Sequence, residues 1–299
     1  MLRLGTRSSL LARTQSATIA ALIAEQLGEP SELVPIRSDG DDVSVRLDAP
    51  ARPGIFVATL RKALLAGAVN VVVHSFKDLP SAPAPGLMIA AVPARGDARD
   101  VLFTRTGATL EELPAGARVG TSSPRRTAAL LRARPGLTVV PIRGNIDSRA
   151  AMVEGGRLDA VVLAKAGLDR IGRTVPAASI LSLDRMVPAP AQGALAIECR
   201  EDDPLARRLA ALEDPESRCV VTAERAVLVS IEAACTTAVG AYATYADGQL
   251  DLRADLFGHR GVDYVERYGA IDLTGAHDLA GAAALGDAVA QALLGGAAR

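Results

Sequence analysis

The chain repeats itself. Leu2-Arg3-Leu4 leads into Gly5-Thr6-Arg7-Ser8-Ser9 and then a helical pattern over 10–27, and Gly120-Thr121-Ser122-Ser123 opens a second helix at Pro124. LVPIR at 33–37 is answered by VVPIR at 139–143, and AGAVNVVVHSFKDL at 66–79 aligns without gaps to GGRLDAVVLAKAGL at 155–168. Alanine richness could mimic one match, but hardly three in the same order. Within each half the pattern reads strand, helix, strand, helix, strand. Its apolar strands, such as Val71-Val72-Val73 and Ala160-Val161-Val162-Leu163, predict a largely parallel α/β sheet covered on both faces. Ligands of such sheets bind beyond the carboxyl ends of the strands, which is where the polar turns fall here. Two similar lobes facing each other would form a cleft with helix N-termini on both walls.

A third region begins near Glu216. The stretch 221–235 reads as an amphipathic helix ending at a turn that contains Cys235. The segments 249–258 and 262–271 alternate like hairpin strands joined near His259, and a last helix covers 279–294. The expected organisation is a first α/β lobe over 1–93 plus about 194–212, a second over 94–193, and a small α+β domain over 216–299. The Pro-rich stretches 80–85 and 188–190 are the hinge candidates.

Composition narrows the function. The 299 residues carry a formal net charge of −1, so no global field draws the protein to nucleic acid or a membrane surface. Cys199, Cys219 and Cys235 are far apart, form no CxxC pair, and have no zinc spacing with histidine, so no metal site is expected. MLRLGTRSS lacks the apolar run of a signal peptide, and no apolar stretch reads as a membrane span. A cytoplasmic monomer is expected.

The candidate chemistry lies in the turns. In GTSSPRR, Ser123 fits an N-cap and Pro124 the first helical position, where a missing N–H costs nothing. A helix start favours anions, and Arg125 and Arg126 add two planar forks suited to carboxylates. The plainer reading is a capped surface helix with solvated arginines. Arg7, Lys77, Arg125, Arg126, Arg143, Arg149 and Arg170 all fall near strand ends or helix starts. Seven cations on one sheet edge would repel one another unless an anion sat between them. Gly144 allows a tight turn after Arg143, with Asp147 or Ser148 as a cap for a helix beginning near Arg149. Asp78, in HSFKDLP, reads either as a turn residue or as a carboxylate that stabilises a developing cation. His74 reads as a packed core histidine, Lys165 as structural, and Cys235 either as a small buried hydrophobe or as an accessible nucleophilic thiol.

GTRSSLLA, VVVHSFKDLP, VGTSSPRR, IRGNIDSR, VLAKAGLDRIG, PAPAQGALAIECR and TAERAVL…EAAC…VGAYA occur in an order that resembles the porphobilinogen deaminase family over nearly the whole chain. The resemblance implies two lobes like periplasmic binding proteins and a C-terminal domain. It implies a dipyrromethane cofactor joined through a thioether to a cysteine, matching Cys235. It further implies a transferase that condenses four porphobilinogens head to tail, releasing ammonia each time, and hydrolyses off a linear tetrapyrrole. By motif match, Asp78 is the catalytic aspartate, and Ser75, Lys77, Asp78, Thr121, Ser123, Arg125, Arg126, Arg143 and Gly144 hold the cofactor. Arg7, Ser9, Arg143, Arg149, Arg170 and Gln192 are assigned to the substrate. Each pyrrole carries an acetate and a propionate, so the arginines meet a polycarboxylate.

Two places depart from the family pattern. Ala233 and Ala238 stand where a glycine and a proline flank the family's cysteine, and DAPARPGIF, with Arg52 its only cation, replaces a Gly- and Lys-containing segment. These leave open a diverged paralogue making a shorter pyrrole oligomer. A non-catalytic two-lobed binder of small anions would share the arginines but give Asp78 and Cys235 no role.

Overall fold

The computed structural model describes residues 1–36, 55–232, 237–258 and 261–297. Arg52, Ala233, Cys235 and His259 lie outside the described residues. In chain order the elements are β1 (Leu2–Thr6), α1 (Leu10–Leu27), β2 (Ser31–Pro35), α2 (Ile55–Leu65), β3 (Val71–Ser75), β4 (Leu87–Ala91), β5 (Asp100–Thr104), β6 (Arg118–Gly120), α3 (Pro124–Ala133), β7 (Thr138–Val140), α4 (Ile146–Glu154), β8 (Ala160–Ala164) and α5 (Lys165–Arg170). There follow β9 (Leu195–Arg200), α6 (Leu205–Leu209), α7 (Pro215–Ser230), β10 (Ala238–Ala246), β11 (Gln249–Phe257), β12 (Tyr264–Asp272) and α8 (Leu279–Ala297). Two compact units result: Met1–Arg95 with Ala194–Arg218, and Gly96–Gly193 with Cys219–Arg299.

In the first unit the strand order is β2-β1-β3-β9-β4. Val71 and Val73 join Leu4 and the α1 residues Ile19 and Ile23 in one core, while Val72 joins Leu60 and Leu64 of α2 in another. Side chains alternate across a strand, so a sheet covered by helices on both faces needs the unbroken apolar run seen in the sequence. The second unit repeats the device in a sheet ordered β5-β8-β6-β7. Val162 faces the core containing Ala128 and Leu130 of α3, and Val161 and Leu163 face the core containing Val153 and Leu168.

The echo is therefore structural. β1 pairs in parallel with β2 and β3, and β6 pairs in parallel with β7 and β8. Ser9 and Ser123 cap the two equivalent helices, accepting from Ala12 N and Arg126 N, each at 3.4 Å. Each sheet is largely parallel, as expected, with one strand reversed: β9 runs antiparallel to β3 and β4, and β5 runs antiparallel to β8. The chain passes between units at 95/96, 193/194 and 218/219, so 80–85 is an internal turn of the first unit and, of the two Pro-rich stretches, only 188–190 adjoins a crossing.

The second unit also holds an antiparallel sheet, β10-β11-β12. Its first strand, AVGAYATYA, escapes sequence reading because small residues replace the branched apolar ones that mark strands. α7 begins at Pro215, earlier than the expected 221, because Asp214 caps it by accepting from Ser217 N at 2.8 Å. α8 is long and apolar enough to cross a membrane by composition. It buries Ala282, Leu285, Val289 and Leu293, the stripe of a helix packed on a sheet.

Candidate functional site

In the first unit the polar turns follow β1 and β3. Arg7 is half-buried, and Thr6 Oγ1 donates to its carbonyl at 3.4 Å. At the end of β3, Ser75 Oγ accepts from Gln15 Nε2 of α1 at 3.0 Å. A 3-10 turn, Phe76–Asp78, then buries Phe76, leaves Lys77 half-buried and exposes Asp78. Buried Phe76 anchors the turn, and Asp78 is presented to solvent.

Directly before this turn, His74 is buried and its Nε2 lies 3.0 Å from Glu198 Oε2 on β9. Arg61 Nη2 of α2 lies 2.8 Å from Glu198 Oε1. Burial raises the Glu198 pKa, but hydrogen bonds from His74 and Arg61 outweigh it and hold the carboxyl below its ordinary value. His74 is thus a core residue, as its apolar strand predicts.

In the second unit Ser123 and Pro124 start α3 as expected, and Arg125 and Arg126 follow in its first turn. Both arginines are buried rather than solvated, at 4% and 6% exposure. Asp100, the fully buried first residue of β5, accepts from Arg125 Nη2 at 2.8 Å and from Arg126 Nη2 at 2.6 Å. Arg125 Nη1 donates to Val187 O at 2.6 Å, and Arg126 Nη1 to Val162 O at 2.9 Å. Gln192 Nε2 donates to Asp100 Oδ1 at 2.9 Å and to Ala98 O at 2.6 Å. One carboxylate between two guanidinium groups leaves a positive charge over. Burial lowers the Arg125 pKa and Arg126 adds to that, while Asp100 and, less strongly, Asp255 oppose it; Asp255 is itself paired with Arg253. The Nε of each arginine is buried without a hydrogen-bond partner among the described residues. A cationic centre with orphaned donors fits a carboxylate-rich group.

The remaining cations surround the same sheet's carboxyl edge. Thr121 is buried, its Oγ1 accepting from Ser123 N at 3.2 Å. Arg143, half-buried after β7, forms no ion pair among the described residues. Gly144 has φ +106°, and a Cβ there would come 2.1 Å from Ser148 Oγ, so only glycine fits. Asn145, rather than Asp147 or Ser148, caps α4 by accepting from Ser148 N at 2.9 Å, which places Arg149 in its first turn. Arg170 Nη2 donates to Gly193 O at 2.6 Å, and burial lowers its pKa. Lys165 pairs with Asp169 at 2.5 Å. An open groove of about 660 Å³ is lined by Thr121, Ser122, Thr127, Thr237 and Ala238 among others. Thr237 and Ala238 are the first described residues after Cys235.

Asp100 and Glu198 carry the burden that sequence reasoning gave to the cations alone. The available signal was an acid at the start of an apolar strand, in DVLF, and inside one, in LAIECR, which demands a buried cation. The other two cysteines are free and buried; burial pushes the Cys199 thiol up to about 11 and also raises that of Cys219.

The family description "Porphobilinogen deaminase, dipyromethane cofactor binding domain" matches residues 2–224, and "Porphobilinogen deaminase, C-terminal domain" matches 219–295. A porphobilinogen deaminase of Leifsonia xyli is 47% identical, covering 99% of this chain and 93% of that one. One of Thermobifida fusca is 46% identical over 98% and 92%, and one of Nocardia farcinica 54% identical over 81% and 70%. Among solved structures, an ABC-transporter periplasmic substrate-binding protein of Coxiella burnetii reaches a TM-score of 0.46 at 13% identity, covering 71% of this chain and 91% of that one; so distant a likeness carries no functional weight. With matches running from the first strand to the last helix, this chain belongs to the porphobilinogen deaminase family.

Proposed function

We propose that this chain is a transferase that condenses four porphobilinogens head to tail on a dipyrromethane held by Cys235, and releases a linear tetrapyrrole. The observation that carries this reading is the buried Arg125–Asp100–Arg126 centre, whose surplus positive charge and orphaned Nε donors suit a polycarboxylate. When bound, the dipyrromethane supplies the pyrrole carbon to which the first substrate is joined. Ser75, Lys77, Thr121, Ser123, Arg125, Arg126 and Arg143, with Gly144 shaping the turn, are the residues proposed to hold its carboxylates. Arg7, Ser9, Arg149 and Arg170, again with Arg143, are proposed to hold those of the substrate, with Gln192, whose two Nε2 hydrogens go to Asp100 and Ala98, acting behind them rather than on the substrate.

Asp78 is proposed as the catalytic residue. Its exposed carboxylate accepts the substrate's pyrrole N–H and stabilises the cation that forms as ammonia leaves. Attachment at Cys235 is favoured because Cys199 and Cys219 are buried thiols of raised pKa, poor in the thiolate form that adds to an electrophile. Their free state supports a reducing, cytoplasmic location, and a monomer is the proposed working form.

Intact-mass measurement and peptide mapping test the reading. The purified protein is expected to carry two condensed pyrrole units on Cys235, and Cys235→Ser to carry none and lose activity. An unmodified Cys235 in protein that still makes tetrapyrrole would overturn the assignment. A product shorter than a tetrapyrrole would replace it with an oligomer synthase of a different length.

A further inference from the structure

Glu224 lies within α7 and is fully buried. Its Oε2 accepts from Ala191 N at 2.6 Å, and its Oε1 accepts from Ala243 N of β10 at 2.8 Å. Ala191 has φ +61°, a left-handed conformation that a side chain with a Cβ holds only where its surroundings impose it. The residue after it is Gln192, which donates to Asp100. Next comes Gly193, at φ +91°, where a Cβ would come 2.4 Å from Gly96 O. Its carbonyl accepts from Arg170 Nη2. Three consecutive residues therefore connect Glu224 to Asp100 on one side and to Arg170 on the other.

We infer that Glu224 is a positioning residue for the arginine centre. By fixing the left-handed turn at Ala191 it sets Gln192 against Asp100, and Asp100 orients Arg125 and Arg126. Both carboxylate oxygens receive backbone N–H donors, so an amide does not substitute: its NH2 would face an N–H. α7 ends at Ser230, five positions before Cys235 in the chain. The inference rests on the carboxylate-binding role proposed above for these arginines.

Glu224→Gln tests it, with hydrogen exchange as a readout that needs no activity. Exchange at Ala191 is expected to rise about tenfold or more, as for loss of one charge-assisted hydrogen bond, while β11 keeps its wild-type protection. The KM for porphobilinogen is expected to rise about tenfold with kcat within about threefold, because Arg170, assigned to the substrate, loses the fixed Gly193 carbonyl of the same turn. Adding Ala191→Gly to Glu224→Gln should bring KM back toward wild type, because glycine holds this φ without strain. Unchanged exchange at Ala191, an unchanged KM, or a KM shift that Ala191→Gly does not rescue would each overturn the inference. Should Glu224→Gln fail to fold, Gln192→Ala cuts the next link. It must raise KM while leaving Ala191 protected, and an unchanged KM overturns the relay. A wild-type protein that does not consume porphobilinogen refutes the proposed function instead, and exchange at Ala191 still reports on Glu224.

Discussion

The two halves of the echo place a buried acid on the same kind of strand and balance it differently. In the first half Glu198 sits on β9, the antiparallel neighbour of β3, and meets one guanidinium and one imidazole. In the second, Asp100 sits on β5, the antiparallel neighbour of β8, and meets two guanidinium groups. The first arrangement neutralises its arginine and lies directly before the turn that exposes Asp78. The second leaves a surplus cation at the mouth of α3. One duplicated scaffold thus offers an outward carboxylate suited to a cationic intermediate, and inward cations suited to carboxylates.

The largest expected effect falls on the second half. Asp100→Asn leaves two buried guanidinium groups without their anion, which should cost about 3–5 kcal/mol of stability. Glu198→Gln should cost less, about 1–3 kcal/mol, because the Arg61 side chain keeps 16% exposure and reaches water. Urea unfolding of both variants at pH 7 measures the difference. Equal losses would break the distinction between a balanced and an overcharged centre.

Next comes the turn that the halves do not share. The gapless alignment puts Gly167, which is buried, opposite Asp78, so only the first half carries a carboxylate there. Asp78→Asn should lower kcat by about 10²–10³, the usual cost of removing one electrostatic stabiliser, and leave stability unchanged because the residue is exposed. Single-turnover ammonia release decides this. A rate within a few-fold of wild type removes Asp78 from the mechanism.

The acid of the first half also titrates. The Glu198 carboxyl, held below its ordinary value of 4.5, binds its proton more weakly in the native than in the unfolded chain. Its stabilisation is therefore full above about pH 4.5 and lost as pH falls through the lower native value. The stability difference between wild type and Glu198→Gln should stay level from pH 7 to 5 and shrink below 4.5. A difference that grows on acidification would contradict the hydrogen-bond assignment.

What the sequence made legible was local. Ser9, Ser123 and Pro124 announce helix starts through capping chemistry confined to a few residues, and the three-valine run announces a strand covered on both faces. The partners of the arginines were not legible. Arg126 and Asp100 are 26 positions apart, and Arg61 and Glu198 are 137 apart, distances at which periodicity carries no information. The antiparallel strands β5 and β9 were missed as antiparallel for the same reason: direction depends on where the chain crosses between units, not on composition. Ala191 shows the limit most plainly, since nothing in PAPAQGAL distinguishes a left-handed alanine from an ordinary one.

The smallest effect separates the lysines of the two equivalent turns. Lys77 precedes Asp78 and is assigned to a cofactor carboxylate, whereas Lys165 aligns with Phe76 and pairs with Asp169 one helical turn away. That pair has the less favourable order, cation before anion along the helix, and Asp169 is 45% exposed. Its contribution should be at most about 0.3–0.5 kcal/mol. Lys165→Met is therefore expected to shift the urea midpoint barely and to leave KM for porphobilinogen unchanged. Lys77→Met should raise the KM about tenfold or more, because the cofactor end that receives porphobilinogen loses the charge-assisted contact that holds it in place. The two variants share one substitution at neighbouring positions of the echo, so the contrast isolates position from chemistry. Matching KM shifts would mean that the second turn also meets a ligand carboxylate, and that the halves are more alike than their buried acids indicate.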